Sequence, residues 1–487
     1  MSEGSVDEDN PTFALCTGMD VNKIGHDCDL KDDDAALLLA DSSSLVQAHA
    51  VSDPIFAPVR KLPPEILANI FIECIPSLIH ERRSYFDEDI FPQQVRARLG
   101  RVCRIWNAVL TDEPGVWATL DFFDNWLPAL EIVSLWIKRS KSHPLDVSLQ
   151  INGRYGFMGR EAAAAFVKML HRELWRIRSF TADCMDYYET SWLFPPDSLS
   201  EAPMMELLSL NLHKFVPKGR LGRLGCIRCP QLRTLDLWNC DKAVESLISK
   251  PMPNLRSLYY GNDDTMLGIK LLQVLPNLVE LSWYHTELPL PDEIPRVALP
   301  SLKSLTVFNS HWEITIRFLR HLDVPSLEKL ILGDCGSVND HQGSSNMVLD
   351  VICGDGAVQL RHLILDNSSL RRANFHAMWH HFKHLETLVI RDPRDVSGDE
   401  LLITLSPPNR DFTFVCPELK TLELSYMMIS MGALVGFVQR RVKSDLGDPA
   451  PGLVTCLTLL NMCVDKEMSA QLAKTHSLSV HLCRCCH

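Results

Sequence analysis

Cysteine and histidine residues occur in three groups whose spacing metal chemistry uses. These are the pair Cys226 and Cys229, the C-terminal cluster Cys483, Cys485, Cys486 and His487, and the four-residue series His376, His380 and His384. A structural zinc ion needs four ligands in tetrahedral geometry, and zinc hydrolases place a glutamate beside the first histidine of such a series. The CxxC pair has no second pair at zinc-finger distance, and no glutamate accompanies the histidines.

For each group we therefore prefer an interpretation without a bound metal ion. The CxxC pair is interpreted as ordinary thiols and the C-terminal cluster as exposed, oxidisable thiols. The histidines are interpreted as a polar face of a helix over residues 370–383. The sequence also lacks GxSxG, a P-loop, and GxGxxG after a strand. We therefore predict a protein that is not an enzyme, with no catalytic residue, no cofactor and no metal.

A repeated phrase, Pro-x-Leu-x-x-Leu-x-Leu, determines which elements carry any functional side chain. It begins at Pro230, Pro253, Pro276, Pro300, Pro325 and Pro417. Copies without the proline begin near Leu360 and Leu385, and an upstream copy begins at Pro203. Most copies are 23–27 residues apart, which is typical of leucine-rich repeats.

Leu-x-Leu has period two, so each copy predicts a short strand with one buried face, and helices are predicted between the strands. The predicted fold class is α/β: an irregular leucine-rich-repeat solenoid with parallel strands on its concave face and helices on its convex face. Solenoids of this kind are usually binding surfaces. The array is predicted over residues 201–475, after atypical first repeats that cap it over 122–200 and before a cysteine-rich tail over 476–487.

Aromatic residues recur at the predicted concave positions of successive strands. They are Trp238, Tyr259, Tyr284 and Phe308. Stacking of the repeats would bring them onto one wall, and rigid aromatic side chains are frequent anchors of protein interfaces. They are therefore the predicted client-binding residues. The alternative is that the rings pad one another or are covered by a loop.

Charge and cysteine content restrict the partners. Residues 1–55 hold 12 acidic and 2 basic residues, so they account for −10 of the net charge of −13. Residues 1–54 are predicted to be a disordered acidic tail. The nearly neutral remainder favours neither nucleic acid nor a membrane as a partner. With 16 cysteines, no signal peptide and no apolar run long enough to span a membrane, we expect reduced thiols and a cytoplasmic or nuclear location.

The segment before the repeats is predicted to form short helices with more apolar surface than they can bury together. It contains Leu62-Pro63-Pro64-Glu65-Ile66-Leu67, then Ile70-Phe71, and later Val102-Cys103-Arg104 with Trp106, Pro114, Trp117 and Leu120. This pattern resembles an F-box, and its sequence is similar to that of the F-box proteins of basidiomycete fungi. The resemblance implies a three-helix F-box-like domain over residues 55–121 that binds a Skp-type adaptor of a cullin–RING ubiquitin ligase.

The resemblance also implies the adaptor-binding residues. They are Leu62, Pro63, Pro64, Ile66, Leu67, Ile70, Val102, Cys103, Trp106 and Trp117. For Trp106 and Trp117 the alternative is a place in the small core of the segment. Residues 77–100 are an insertion relative to a short F-box, predicted as a loop, with obstruction of adaptor docking as the alternative. The expected function is a substrate receptor of the ligase that binds an unknown client protein; the alternative is a repeat scaffold or inhibitor that no longer engages the ligase.

Overall fold

A computed structural model provides the structure of the chain. The described residues are 62–75, 92–123, 130–151, 165, 168–184, 201–212, 228–248, 252–261, 264–284, 296–308, 312–333, 359–366, 379–393, 397–406, 415–441, 454–460 and 479–483. The chain divides into two compact units, Met1–Leu62 and Pro63–His487. The predicted acidic tail, 1–54, lies outside the described residues. The fold described below is that of the second unit.

Short helices begin this unit. They are α1 (Pro64–Cys74), α2 (Pro92–Gly100), α3 (Arg104–Asp112) and a 3-10 turn (Pro114–Trp117). Proline at the first position of α1 costs no hydrogen bond, since that N–H has no partner within the helix, and Glu65 complements the helix dipole. Phe71 of α1 packs on Trp106 of α3, with ring centroids 5.0 Å apart. Val102 and Cys103 directly precede α3, and Cys103 is its N-cap residue.

Residues 92–100 of the segment predicted as a loop form helix α2 instead, and residues 77–91 lie outside the described residues. The buried Arg96 side chain donates from Nε to the carbonyl of Val116 (2.8 Å) and from Nη2 to that of Thr119 (2.6 Å). Its guanidinium also lies beside the rings of Trp117 and Trp136. Burial lowers the pKa of Arg96 to about 10, and the charge of Asp121 opposes that shift. Arg96 thus fixes α2 to the chain that enters the sheet.

After these helices, the described chain contains one parallel sheet of 14 strands. In sheet order the strands are β1 (Thr119–Phe123), β2 (Leu145–Ile151), β3 (Ile177–Cys184), β4 (Leu207–Leu212), β5 (Thr234–Trp238), β6 (Ser257–Gly261), β7 (Glu280–Tyr284), β9 (Ser304–Phe308), β11 (Lys329–Gly333), β12 (His362–Asp366), β13 (Thr387–Arg391), β14 (Thr421–Ser425), β15 (Cys456–Leu460) and β16 (Ser479–Cys483). Two short strands, β8 (Val297–Ala298) and β10 (Leu322–Asp323), pair with each other.

The leucine phrase sets the register of this sheet. Leu235 pairs with Leu258, Leu258 with Leu281, and Leu281 with Leu305, and each of these side chains is at most 1% exposed. Side chains alternate between the faces of a strand, so every leucine column lies on one face. The predicted α/β repeat architecture, a long parallel sheet with helices between strands, is confirmed.

Helices lie between strands along the chain: α4 (Leu130–Arg139), α5 (Asp241–Ile248), α6 (Thr265–Gln273), α7 (Trp312–Arg320), α8 (Gly398–Leu405) and α9 (Met431–Arg441). Of these, α6 and α7 pack on the leucine-bearing face of the sheet. Trp283, on that face of β7, stacks on Phe318 of α7 with centroids 4.6 Å apart, and Gly268 of α6 lies directly against Trp283 and Tyr260. The opposite face carries the alternate, mostly half-exposed positions, and we call it the open face.

The limits of the sheet differ from the predicted segments. Thr119 starts β1, so the sheet begins inside the segment predicted as 55–121. The last strand, Ser479–Cys483, pairs with β15 and extends the sheet into the predicted tail. Where the chain is described, no helix has the length and apolar character needed to cross a membrane.

Candidate protein-interaction surfaces

Exposed apolar side chains concentrate on the helices ahead of the sheet. Ile66 is 46% exposed, Ile70 42%, Val102 44% and Ile105 47%. Ile66 and Ile70 are four residues apart, so they share one face of α1, while Leu67 and Phe71 are buried on another. We call Ile66, Ile70, Val102 and Ile105 the helical patch. An isolated exposed isoleucine is unremarkable, whereas several in one short segment are typical of a contact surface.

The structure separates the predicted adaptor-binding residues by exposure. Pro63 and Pro64 are exposed at the start of α1, and Cys103 and Trp106 are half-buried. Leu62 directly precedes Pro63.

The side chains of Leu67 and Trp117 are 2% and 4% exposed, so the chain itself buries both; for Leu67 this differs from the predicted adaptor-facing position, and for Trp117 it is the stated alternative. The indole of Trp117 donates to the carbonyl of Leu110 at 2.7 Å, so this residue belongs to the core of the segment. Ile105 was not predicted, although its place beside Trp106 on a helix directs it away from the buried face.

The predicted client-binding residues lie on the open face, and three of them form a continuous aromatic row. Trp238 packs on Tyr284, with centroids 4.5 Å apart, and Tyr284 stacks on Phe308, with centroids 5.3 Å apart and planes 10° apart. The faces of the rings thus pack against one another, as the alternative interpretation of these residues expected. All three remain half-exposed. Tyr259 is also half-exposed, on the same face of β6 but nearer the start of its strand.

Two glycines let the rings of this row lie across the sheet. A Cβ at Gly261 would lie 2.3 Å from the Trp238 ring, and one at Gly333 would overlap the Phe308 ring. Carbon atoms pack at about 3.5–4.0 Å, so a side chain at either position would lift the ring above it. The Trp238 indole also donates to Asp236 at 2.7 Å, and Asp236 accepts from Ser209 at 3.0 Å. The row is therefore held in place before any partner binds.

Charged side chains beside the open face pair with one another across strands. Lys303 forms an ion pair with Glu328 at 2.9 Å, and Glu386 forms ion pairs with both Arg361 at 3.2 Å and Lys420 at 2.8 Å. The hydrogen bond from Lys303 lowers the pKa of Glu328, and that from Lys420 lowers the pKa of Glu386. Arg391 pairs with Glu423 at 2.9 Å on the open face itself.

The cysteine and histidine groups are only partly described. Burial raises the pKa of Cys229 to about 12, so this thiol stays protonated at neutral pH, and Cys226 lies outside the described residues. Trp379 is the last helical residue before a turn, so His380 and His384 do not share a helix face as predicted. His384 contacts Glu418 instead, at 3.2 Å.

The remaining members, His376, Cys485, Cys486 and His487, lie outside the described residues, as does the side chain of Cys483. Within the described ranges, no group of three or more histidine, cysteine or acidic side chains is arranged to hold a metal ion.

Comparisons with known proteins leave the family open. No protein-family model matches the chain, and no curated protein matches it. A Bacteroides fragilis protein of known structure aligns over 66% of this chain and 83% of its own length, with 15% identity and a TM-score of 0.35. A likeness at that TM-score supports no argument about this chain.

Proposed function

We propose that this protein is a substrate-recruiting subunit of an SCF-type cullin–RING ubiquitin ligase. The helical patch binds a Skp-type adaptor, and the open face of the sheet binds a client protein. The chain itself supplies no catalytic group, because ubiquitin transfer belongs to its partners. Its contribution is proximity, since holding the client near the transfer enzyme raises the effective concentration of the two.

The exposure of the helical patch is the observation that carries this proposal. Ile66 and Ile70 project from α1 while Leu67 and Phe71 hold α1 to the rest of the unit, so the two faces of one short helix have separate tasks. Burying an isoleucine side chain stabilises an association by about 1.5–3 kcal/mol. Arg96, the one buried side chain among those described on α2, ties part of the insertion to Val116 and Thr119.

Binding of the purified full chain to a Skp-type adaptor tests the proposal. We expect Ile66→Asp with Ile70→Asp to weaken the complex by at least about 3 kcal/mol, roughly 100-fold in Kd, because two apolar contacts are lost and two charges are desolvated. The matched control is Ile403→Asp on α8, where the side chain is 60% exposed and distant in sequence. Isothermal titration calorimetry measures both.

Two results would count against the proposal. Absence of adaptor binding by the wild-type chain would favour a repeat scaffold or inhibitor that does not engage the ligase. Equal affinity of the double variant and the Ile403→Asp control would show that the helical patch is not the contact surface. Thermal unfolding of each variant establishes that the comparison is between folded proteins.

A further inference from the structure

We infer that the open face binds an extended, apolar segment of its client, about seven residues long and unphosphorylated. This inference rests on the proposed function, because it specifies the client side of that receptor. The residues concerned are the aromatic row and the two isoleucines that continue it, which together we call the apolar strip: Trp238, Tyr284, Phe308, Ile331 and Ile364.

The register of the sheet places the strip on neighbouring strands, with a step of two residues towards the strand start at β11, where Ile331 pairs with Thr306. The Phe308 ring lies over Gly333, and Ile331 is two residues earlier on the same face of β11. Ile331 pairs with Ile364 on β12, and both side chains are half-exposed. From β5 to β12 there are five interstrand steps, which at about 4.8 Å each span about 24 Å. An extended chain covers that distance with about seven residues.

The width of the strip favours an extended segment over a helix. Five of the six strands that the strip crosses contribute one apolar side chain to it, whereas β6 contributes Gly261 and has Tyr259 two residues earlier on the same face. Polar side chains share the open face of the strands: Ser282 and Glu280 on β7, and His362 and Asp366 on β12. A helix is about 10–12 Å across and would cover these polar groups as well, whereas an extended chain is narrow enough to follow the apolar side chains.

The charge arrangement favours an uncharged segment. A phosphate site needs cations that converge on the anion. Here Lys303, Arg361 and Lys420 are already bonded to Glu328 and Glu386, so a phosphate would have to displace carboxylates to reach them. Each such carboxylate would then repel the phosphate.

Arg233 and Arg256 directly precede the adjacent strands β5 and β6, both are exposed, and Arg256 also donates to the carbonyl of Asn277 at 3.2 Å. If the client were phosphorylated, its phosphate would bind at these two arginines, and the experiment below includes that outcome.

Selection from two random dodecapeptide libraries tests this inference on the full chain. One library has a fixed central serine and the other a fixed central phosphoserine. We expect the serine library to yield peptides with aromatic or aliphatic residues at alternate positions, which engage one face of an extended chain. We expect Ile364→Asp to weaken the best of them at least tenfold, and Ile403→Asp, a similar change on a helix, to leave its Kd unchanged.

Three results would overturn the inference. They are a preference for the phosphoserine library, selected peptides whose binding is unaffected by Ile364→Asp, and no selected peptide from either library. Binding of the Skp-type adaptor to the same Ile364→Asp protein is measured in parallel. Loss of peptide binding with intact adaptor binding assigns the strip to the client. Failure of adaptor binding by the wild-type chain refutes the ligase role independently of the peptide result.

Discussion

Replacing Gly268 with alanine tests whether the layer between α6 and the sheet is as closely packed as the structure shows. A Cβ there would lie 2.3 Å from Cη2 of Trp283 and 2.6 Å from Cε1 of Tyr260. Both rings are at most 1% exposed, and Trp283 is held between Tyr260, at 4.7 Å, and Phe318, at 4.6 Å. Neither ring can swing towards solvent, so the helix itself must move.

The size of the effect follows from two opposing terms. Alanine is favoured over glycine inside a helix by about 1 kcal/mol, whereas overpacking a filled core costs about 1–3 kcal/mol or more. Gly432→Ala on α9 supplies the first term without the second, because no heavy atom of the described residues, apart from its chain neighbours and its own helix backbone, lies within 4 Å of its added carbon. We therefore expect Gly432→Ala to raise the free energy of unfolding by up to about 1 kcal/mol. Gly268→Ala should lie about 1–3 kcal/mol below it, the overpacking term alone.

Urea denaturation of the full chain, followed by far-ultraviolet circular dichroism, measures the difference. The comparison uses the denaturation midpoints and requires that both variants keep the wild-type slope. Gly436→Ala, also on α9 and also open, is a second control. Equal midpoints for the alanines at 268 and 432 would refute the packing argument and, with it, the assignment of α6 to the leucine-bearing face.

Two further predictions concern buried polar groups. Arg441→Met should lower the free energy of unfolding by about 3 kcal/mol, because the buried guanidinium donates to the carbonyls of Leu405, Cys416 and Val415 and each orphaned carbonyl costs about 1–3 kcal/mol. The exposed Arg440→Met is its control, and an equal effect of both in urea denaturation would contradict this role. Cys229 should resist iodoacetamide in the folded chain at pH 8, while the exposed Cys74 reacts, and mass spectrometry after digestion distinguishes them. Because folding raises the pKa of Cys229 from 9.0 to about 12, its contribution to stability falls as pH rises from 9 towards 12. Alkylation of Cys229 without denaturant at the rate of Cys74 would contradict this prediction.

The sheet was predictable because one local rule repeats. Leucine at every second position defines a strand with one buried face, and equal spacing forces successive strands to pair at the same residues. Leu330, Leu363, Leu388 and Leu422 are aligned in the sheet as their places in the phrase predict. The helices predicted between strands are also present, for example α6 and α9.

The buried arginines were not predictable from that rule. Arg96 bonds to the carbonyl of Val116, Arg176 to that of Ile137, and Arg441 to that of Leu405, and the partners are 20, 39 and 36 positions apart in the sequence. Each satisfies carbonyls where a helix or turn ends, and those ends vary from one repeat to the next. Arginine is also usually exposed, so sequence alone favours a surface position for all three.

The aromatic row lies between these two cases. The positions of its side chains were predictable from the repeat. Their packing was not, because it depends on the missing Cβ atoms of Gly261 and Gly333, and in the sequence these two residues only interrupt the aromatic pattern. Rings that are stacked and, at Trp238, hydrogen-bonded to Asp236 have already lost most of their rotamer freedom on folding. An immobilised side chain costs about 0.5–1.5 kcal/mol on binding when it is free beforehand, so the row avoids that cost for each ring. The padding of the rings by one another is therefore compatible with a role in binding, because it presents a preformed apolar edge to an incoming chain.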